Sequence, residues 1–340
     1  MKYFKTILSI TILCTLFSCK TNSAAGKEEK IVLAYVTSWT SIIPDVNYVT
    51  HINYAFGHVT DSFDGVRIDN ENRLRQIVAL KEQKPSLVVF LSIGGWESGR
   101  FSEMAADEKT RRSFARDCAR VVKEFGLDGI DMDWEYPTSS SAGISSSPDD
   151  TDNFTLLMRE IREEIGNDKL LTFASVSSAR YVNFPEVMPY IDFVNIMSYD
   201  MGTPPIHHST LYRSERTGRL SGDEAVKAHV EAGVPIDKLV LGIPFYGRGT
   251  QGITGVYRNY RDIIKLDESF ERRWDDVAKA PYLANDTVDF IIGYADARSI
   301  GYRCDYILEK GMLGAMYWDY AADDDEGTLR KAVFNGLNRR

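Results

Sequence analysis

Cysteine is scarce in this chain: there are four in 340 residues, and two of them, Cys14 and Cys19, fall in the first nineteen positions. Only Cys118 and Cys304 remain for a folded domain, too few for a disulfide framework. Cys118 lies in the helical stretch SFARDCARVVKEF and reads as a small core residue rather than a redox group. Positive charge is also short. Forty Lys and Arg face 49 Asp and Glu, a formal net charge of −9, which excludes the basic patch that nucleic acid or an anionic membrane surface requires. Beyond the N-terminus no apolar run is long enough to span a bilayer. What is present in quantity is apolar residues, 44% of the chain, enough for a substantial core. The balance favours a globular protein with a neutral ligand.

At the N-terminus Lys2 and Lys5 precede the apolar run Ile7 to Leu13, followed by Leu16, Phe17, Ser18 and Cys19. Residues 1–18 therefore read as a signal peptide. The last four residues resemble a bacterial lipobox, in which Cys19 is lipidated after cleavage; a plain signal peptide with an incidental cysteine is the alternative. Residues 19–30 are small and polar and read as a tether. The expectation is an exported protein, anchored by lipid to the cell envelope at the outer membrane or cell surface, touching membrane only through that anchor and monomeric.

From residue 31 onward eight β-rich runs recur: IVLAYV, HINYAF, LVVFLSI, GIDMDW, LLTFASV, FVNIMSY, KLVLGIPF and MLGAMYW. Helical patterns separate several of them, as in NFTLLMREIREEI, where Phe154, Leu157, Met158, Ile161 and Ile165 recur at helical spacing. Eight strands with intervening helices predict an α/β fold, a (β/α)8 TIM barrel spanning residues 31–340. A doubly wound sheet is the rival, but no glycine-rich first turn supports it. Glycine pairs, tryptophans and carboxylates gather at SIGGW, DMDWEYP, MSYDMG, PFYGRG and YWDY, each at the end of a candidate strand, where a barrel carries its active site. Between Arg248 and Arg298 the chain runs for roughly fifty residues before the last strand, long for a βα connection. A small α+β insertion at about 249–298 is expected there, with Tyr260, Trp274 and Tyr282 as residues that could wall the cleft. The Ser-rich stretch after Pro137 reads as a mobile loop.

The central signal is DGIDMDWEYP, residues 128–137. Strand alternation puts Asp131, Asp133 and Glu135 on one face, about 6.5 Å apart per two-residue step, and Ile130, Met132 and Trp134 on the other. An apolar outer face means cover by helices, so the acidic face is the barrel interior. Carboxylates stacked in one pocket repel each other, raising some pKa values and keeping a proton available for acid catalysis. A hard-metal site is the competing reading, but an interior strand supplies no loop carbonyls and no EF-hand spacing. Asp128 has the opposite parity and is expected to be structural. His207 and His208 are adjacent, point apart and have no third ligand near them in sequence, so loop or rim positions are expected and no metal.

At these residues the chain resembles the family 18 glycoside hydrolases, the chitinase family. DGIDMDWEYP matches the family's DxxDxDxE signature; SIGGW (92–96) before it and MSYD (197–200), GIPFYGRG (242–249) and YWDY (317–320) after it are similar to the family's motifs on other strands, in the right order. The resemblance runs from Ile31 to about Leu337. It implies a retaining, substrate-assisted hydrolysis of β-1,4-linked N-acetylglucosamine polymers, an exception to the two-carboxylate scheme. Glu135 would protonate the leaving oxygen. The 2-acetamido group would attack to give an oxazolinium ion, with Asp133 orienting it and Asp131 sharing a proton with Asp133. Tyr199 would hold the acetamide oxygen, with Met197 and Asp200 in the same subsite. Trp318 would stack beneath the scissile sugar, and Tyr35, Phe56, Gly95, Trp96, Tyr246 and Arg248 would surround neighbouring sugars. No cofactor and no metal are implied; the partner is chitin or another N-acetylglucosamine glycan. An endo-β-N-acetylglucosaminidase acting on N-glycans and a non-catalytic chitinase-like lectin remain alternatives.

Overall fold

The eight apolar runs become the staves of a closed parallel barrel, seen in a computed structural model that describes residues 30–339. The leader, Cys19 and all of the tether except Lys30 lie outside the described residues. The strands in chain order are β1 (Ile31–Thr37), β2 (His51–Val59), β3 (Val66–Ile68), β4 (Val88–Gly94), β5 (Gly129–Asp133), β6 (Leu170–Val176), β7 (Phe193–Met197) and β8 (Leu239–Pro244). They continue with β9 (Tyr246–Gly249), β10 (Tyr257–Asn259), β11 (Glu271–Asp275), β12 (Ala280–Ala284), β13 (Ile292–Gly293) and β14 (Gly314–Trp318). Eight of them pair in the order β1, β14, β8, β7, β6, β5, β4, β2, and β2 returns to β1 to close the barrel. β3 is an antiparallel addition to the outer part of β2.

Alternation decides what each stave presents. On β5, Ile130 and Met132 are fully buried beneath the helical shell while Asp131 and Asp133 face the barrel interior. The shell helices are amphipathic: Glu108–Phe125 is capped by Asp107, which accepts from the N–H groups of Lys109 and Thr110. Its apolar face, including Phe114, Cys118 and Val121, is buried, with larger side chains such as Phe114 and Val121 contributing about 1.5–3 kcal/mol each. Cys118 and Cys304 are free and buried.

The chain between β8 and β14 builds a separate five-stranded antiparallel sheet, ordered β10, β9, β13, β12, β11. It starts at Tyr246, immediately after β8. The Ser-rich segment after Pro137 differs from the mobile loop its composition suggests. The buried carboxylate of Asp150 accepts from the N–H groups of both Thr138 (3.1 Å) and Ser147 (2.7 Å), and Ala142 and Ile144 are buried. One side chain therefore ties the two ends of the loop together.

Candidate active site

The C-terminal strand ends enclose a cavity of about 890 Å³ whose floor and walls include Tyr35, Phe56, Asp133, Glu135, Tyr199 and Trp318. Asp133 is the last residue of β5, and Glu135 follows two residues later, partly buried at the cavity. Trp134 between them turns outward and stacks on Phe101 at 5.4 Å, fixing the direction of its neighbours. Two glycines let β4 lie against this strand end. A Cβ at Gly94 would sit 2.0 Å from the Asp133 carbonyl oxygen, and one at Gly95 would sit 2.7 Å from the Phe56 ring. Both have positive φ, 131° and 93°, which glycine adopts without penalty. Gly95 serves by this close approach and by donating its N–H to Asp133 O at 2.9 Å.

Below Asp133, Asp131 is fully buried and accepts four hydrogen bonds: from Tyr35 (2.9 Å) and Ser92 (2.8 Å) on Oδ2, and from Thr172 (2.7 Å) and Asn195 (3.1 Å) on Oδ1. A carboxylate has about four acceptor positions, and in this arrangement the four contacts of Asp131 go to these donors rather than to Asp133. The donors come from four other staves, β1, β4, β6 and β7, which is why no local pattern announces them. Burial pushes Asp131 up and these four donors oppose it.

The source of the raised pKa values also differs from expectation. For Asp133 the leading cause is burial, with the charges of Glu135 and Asp131 behind it. Glu135 is pushed from 4.5 up to about 7 by burial first, opposed by a hydrogen bond from Tyr136 and raised further by Asp200. Desolvation rather than carboxylate repulsion holds the proton. Asp200 goes the other way: burial would raise it, but Arg248, donating at 2.6 Å, and His208 hold it well below the usual carboxylate range. Tyr199 lines the same cavity, and among the described residues its hydroxyl has only Met316 Sδ, at 3.9 Å, as a hydrogen-bond partner. Trp318 lies 5.6 Å from Phe56 and 5.5 Å from Tyr35. Non-proline cis peptide bonds at Ala55–Phe56, Glu135–Tyr136 and Trp318–Asp319 all fall at this end of the barrel.

The model for glycosyl hydrolases family 18 matches residues 31–323. The chain belongs to glycosyl hydrolase family 18. Chitinase A1 of Niallia circulans is 34% identical over 318 residues, which cover 80% of this chain and 45% of that protein. Among solved structures, chitinase ChiW of Paenibacillus sp. str. FPU-7, described as a cell-surface-expressed multi-modular enzyme, is 30% identical with a TM-score of 0.85 over 91% of this chain and 43% of that one. The family 18 N-acetylglucosaminidase of Paenibacillus barengoltzii is 34% identical with a TM-score of 0.81, covering 91% of this chain and all of that one. The chain thus spans less than half the length of the first two relatives.

Within the family 18 cavity the residues singled out in sequence converge, with Gly95 and the buried Asp131 as exceptions: Tyr35, Phe56, Trp96, Met197, Asp200, Tyr246 and Arg248 all line it with Asp133, Glu135, Tyr199 and Trp318. Sequence reasoning missed Trp39, Tyr136, Tyr181 and Tyr257, which line it too. Trp39, 63% exposed just past β1, carries the one available signal, a large apolar side chain left uncovered beside a strand end. Tyr136 and Tyr181 stack at 5.4 Å and Tyr257 stacks on Tyr246 at 4.5 Å, pairings that only tertiary contact reveals. The insertion reaches the cleft through Tyr257, not through the residues expected. Tyr260 is buried, Trp274 packs against Tyr302 and Arg298, and Tyr282 packs against Phe290 and His207. His207 and His208 lie in an irregular loop segment, as expected, but each is 1% exposed rather than on a rim. Asp128 is structural, accepting from Lys81 and from the Val89 N–H. Among the described residues no group of three His, Cys, Asp or Glu is arranged to hold a metal ion.

Proposed function

We propose that this protein hydrolyses β-1,4-linked N-acetylglucosamine polymers, chitin or its oligosaccharides, with retention and with the substrate's own acetamide as nucleophile. The supporting observation is the distribution of carboxylates in the cavity. Its acidic lining residues are Asp133, Glu135 and Asp200, and Asp200 is engaged by Arg248 at 2.6 Å. The two that remain leave the same strand end, whereas a two-carboxylate glycosidase flanks the bond from opposite sides. Glu135, with its pKa near 7, donates the proton. The acetamide carbonyl attacks the anomeric carbon as the leaving oxygen departs, giving an oxazolinium ion that water opens after Glu135 has become a base. Asp133 faces the acetamide N–H and offsets the developing positive charge. Tyr199 holds the carbonyl oxygen in line, and Trp318 covers the apolar face of the sugar. The chitinases among its relatives support the substrate class.

Incubation with a chitin oligosaccharide beside a high-mannose glycoprotein tests the substrate. Shortened oligosaccharides with an untouched glycoprotein are expected; release of the N-glycan alone would move the activity to the N-glycan class, and binding with no cleavage of either would make the protein a lectin.

We propose also that Cys19 carries the lipid that holds the enzyme on the cell envelope. Two or three acyl chains suffice for stable attachment, and no described helix is long and apolar enough to cross a membrane. Cys19→Ala is expected to release or misprocess the protein. Unchanged fractionation with membranes would place the anchor elsewhere.

A further inference from the structure

His207 and His208 have no part in the hydrolytic chemistry above, yet both are buried, and burying an imidazole whose nitrogens lack partners is costly. The two rings diverge. His207 enters the insertion sheet, 4.8 Å from Phe290 and 5.6 Å from Tyr282. His208 turns toward the cleft, its ring 5.1 Å from Tyr246 and its Nδ1 3.5 Å from Oδ1 of Asp200. Neither ring nitrogen of His208 makes a hydrogen bond.

The backbone around His208 is fixed to the segment that carries Asp200. The Met201 N–H, one residue past Asp200, donates to His208 O at 2.9 Å. Ser209 Oγ donates to Ser198 O at 2.8 Å, and Arg303 donates to both Ser209 O and Ser209 Oγ at 3.1 Å. Asp200 itself has φ 55°, in the left-handed region that non-glycine residues rarely occupy. Its Oδ1 is held by Arg248 Nε, and the same oxygen faces His208.

We propose that His208 is a positioning residue for Asp200: a neutral imidazole, protonated on Nδ1, that closes on the carboxylate and with Arg248 fixes it at the edge of the sugar site. The separation of 3.5 Å is long for a hydrogen bond, but contacts of this kind tighten when a catalytic cleft is loaded. The charged or titratable groups facing His208 are Asp200, Arg248, Arg303, His207 and the phenol of Tyr246. Burial and the two guanidiniums disfavour a further cation and outweigh the attraction of Asp200, so the ring stays neutral. Through Asp200 this reaches the acid, since the charge of Asp200 helps hold the proton on Glu135. The inference rests on the hydrolytic reading of the cleft, and its test separates the two.

In protein labelled with 15N at histidine, the ring nitrogens of His208, assigned by their loss in His208→Asn, are expected to report the neutral Nδ1–H tautomer throughout the pH range of activity. An Nε2–H tautomer or an imidazolium there overturns the proposal. In kinetics, His208→Leu removes the donor and is expected to lower kcat by about 10- to 100-fold, the scale of a misplaced active-site group, and to move the alkaline limb of the pH profile to lower pH. His208→Asn keeps an amide N–H where Nδ1 stood and is expected to retain the wild-type limb and most of kcat. Equal damage in both variants, or wild-type kinetics in the leucine variant, overturns the proposal. Should the leucine variant fail to fold, the tautomer and the asparagine variant decide. A wild-type enzyme that leaves chitin oligosaccharides uncut would instead overturn the hydrolytic reading, with the tautomer measurement still standing.

Discussion

Glu135→Gln is expected to lower turnover by about 10²- to 10⁴-fold while chitin oligosaccharides still bind. Glutamine keeps the shape of the side chain and removes only the transferable proton, so the loss should fall on kcat and leave dissociation constants nearly unchanged. In the wild type the proton is held up to a pKa of about 7, so kcat/KM should fall as pH rises through neutrality. The same shift carries a stability consequence of defined sign. The folded state keeps a proton between pH 4.5 and about 7 that the unfolded chain releases, so stability declines across that window as pH rises. Above it, the ionised carboxylate costs the folded state at most about 3 kcal/mol. Glu135→Gln should therefore melt at higher temperature than the wild type at pH 8, and the gain should vanish at pH 4. Near wild-type turnover in the variant would remove Glu135 as the acid, and a stability gain independent of pH would remove desolvation as the cause of its raised pKa.

Digestion of partly deacetylated chitosan should give new reducing ends that are almost entirely N-acetylglucosamine. If the acetamide is the nucleophile, a glucosamine in the scissile position has nothing with which to attack, however well the polymer binds. The expected discrimination is large, because an entire nucleophile is missing rather than one contact. A thiazoline analogue of the oxazolinium ion should conversely bind far more tightly than substrate, since it resembles the charged intermediate that Asp133 and Tyr199 face. Frequent glucosamine at new reducing ends would contradict the roles given to Asp133 and Tyr199.

The barrel was legible because each of its eight staves is a short run of apolar and β-branched residues, and because the alternation of Asp131, Met132, Asp133 and Trp134 states which face is inward. Position at strand ends then marked most of the cleft. Tyr136, Tyr181 and Tyr257 escaped notice, because a tyrosine in a connection looks the same in sequence whether it packs in the shell or faces a sugar. The insertion was visible as surplus length, but length says nothing about which residues reach the cleft: Tyr257 does so by stacking on Tyr246, while Trp274 and Tyr282 turn elsewhere.

The sequence by itself determined the closed parallel barrel, the inward row of carboxylates and the family, because strand periodicity and a contiguous motif are properties of neighbouring residues. Only the tertiary structure decided the chemistry of those carboxylates. Asp131 is saturated by donors from four other strands, Asp200 is held low by Arg248 and His208, and Glu135 keeps its proton chiefly because the assembled cleft excludes water from it. Desolvation and long-range hydrogen bonds depend on which distant segments meet at a point, and that meeting has no signature in any local stretch of chain.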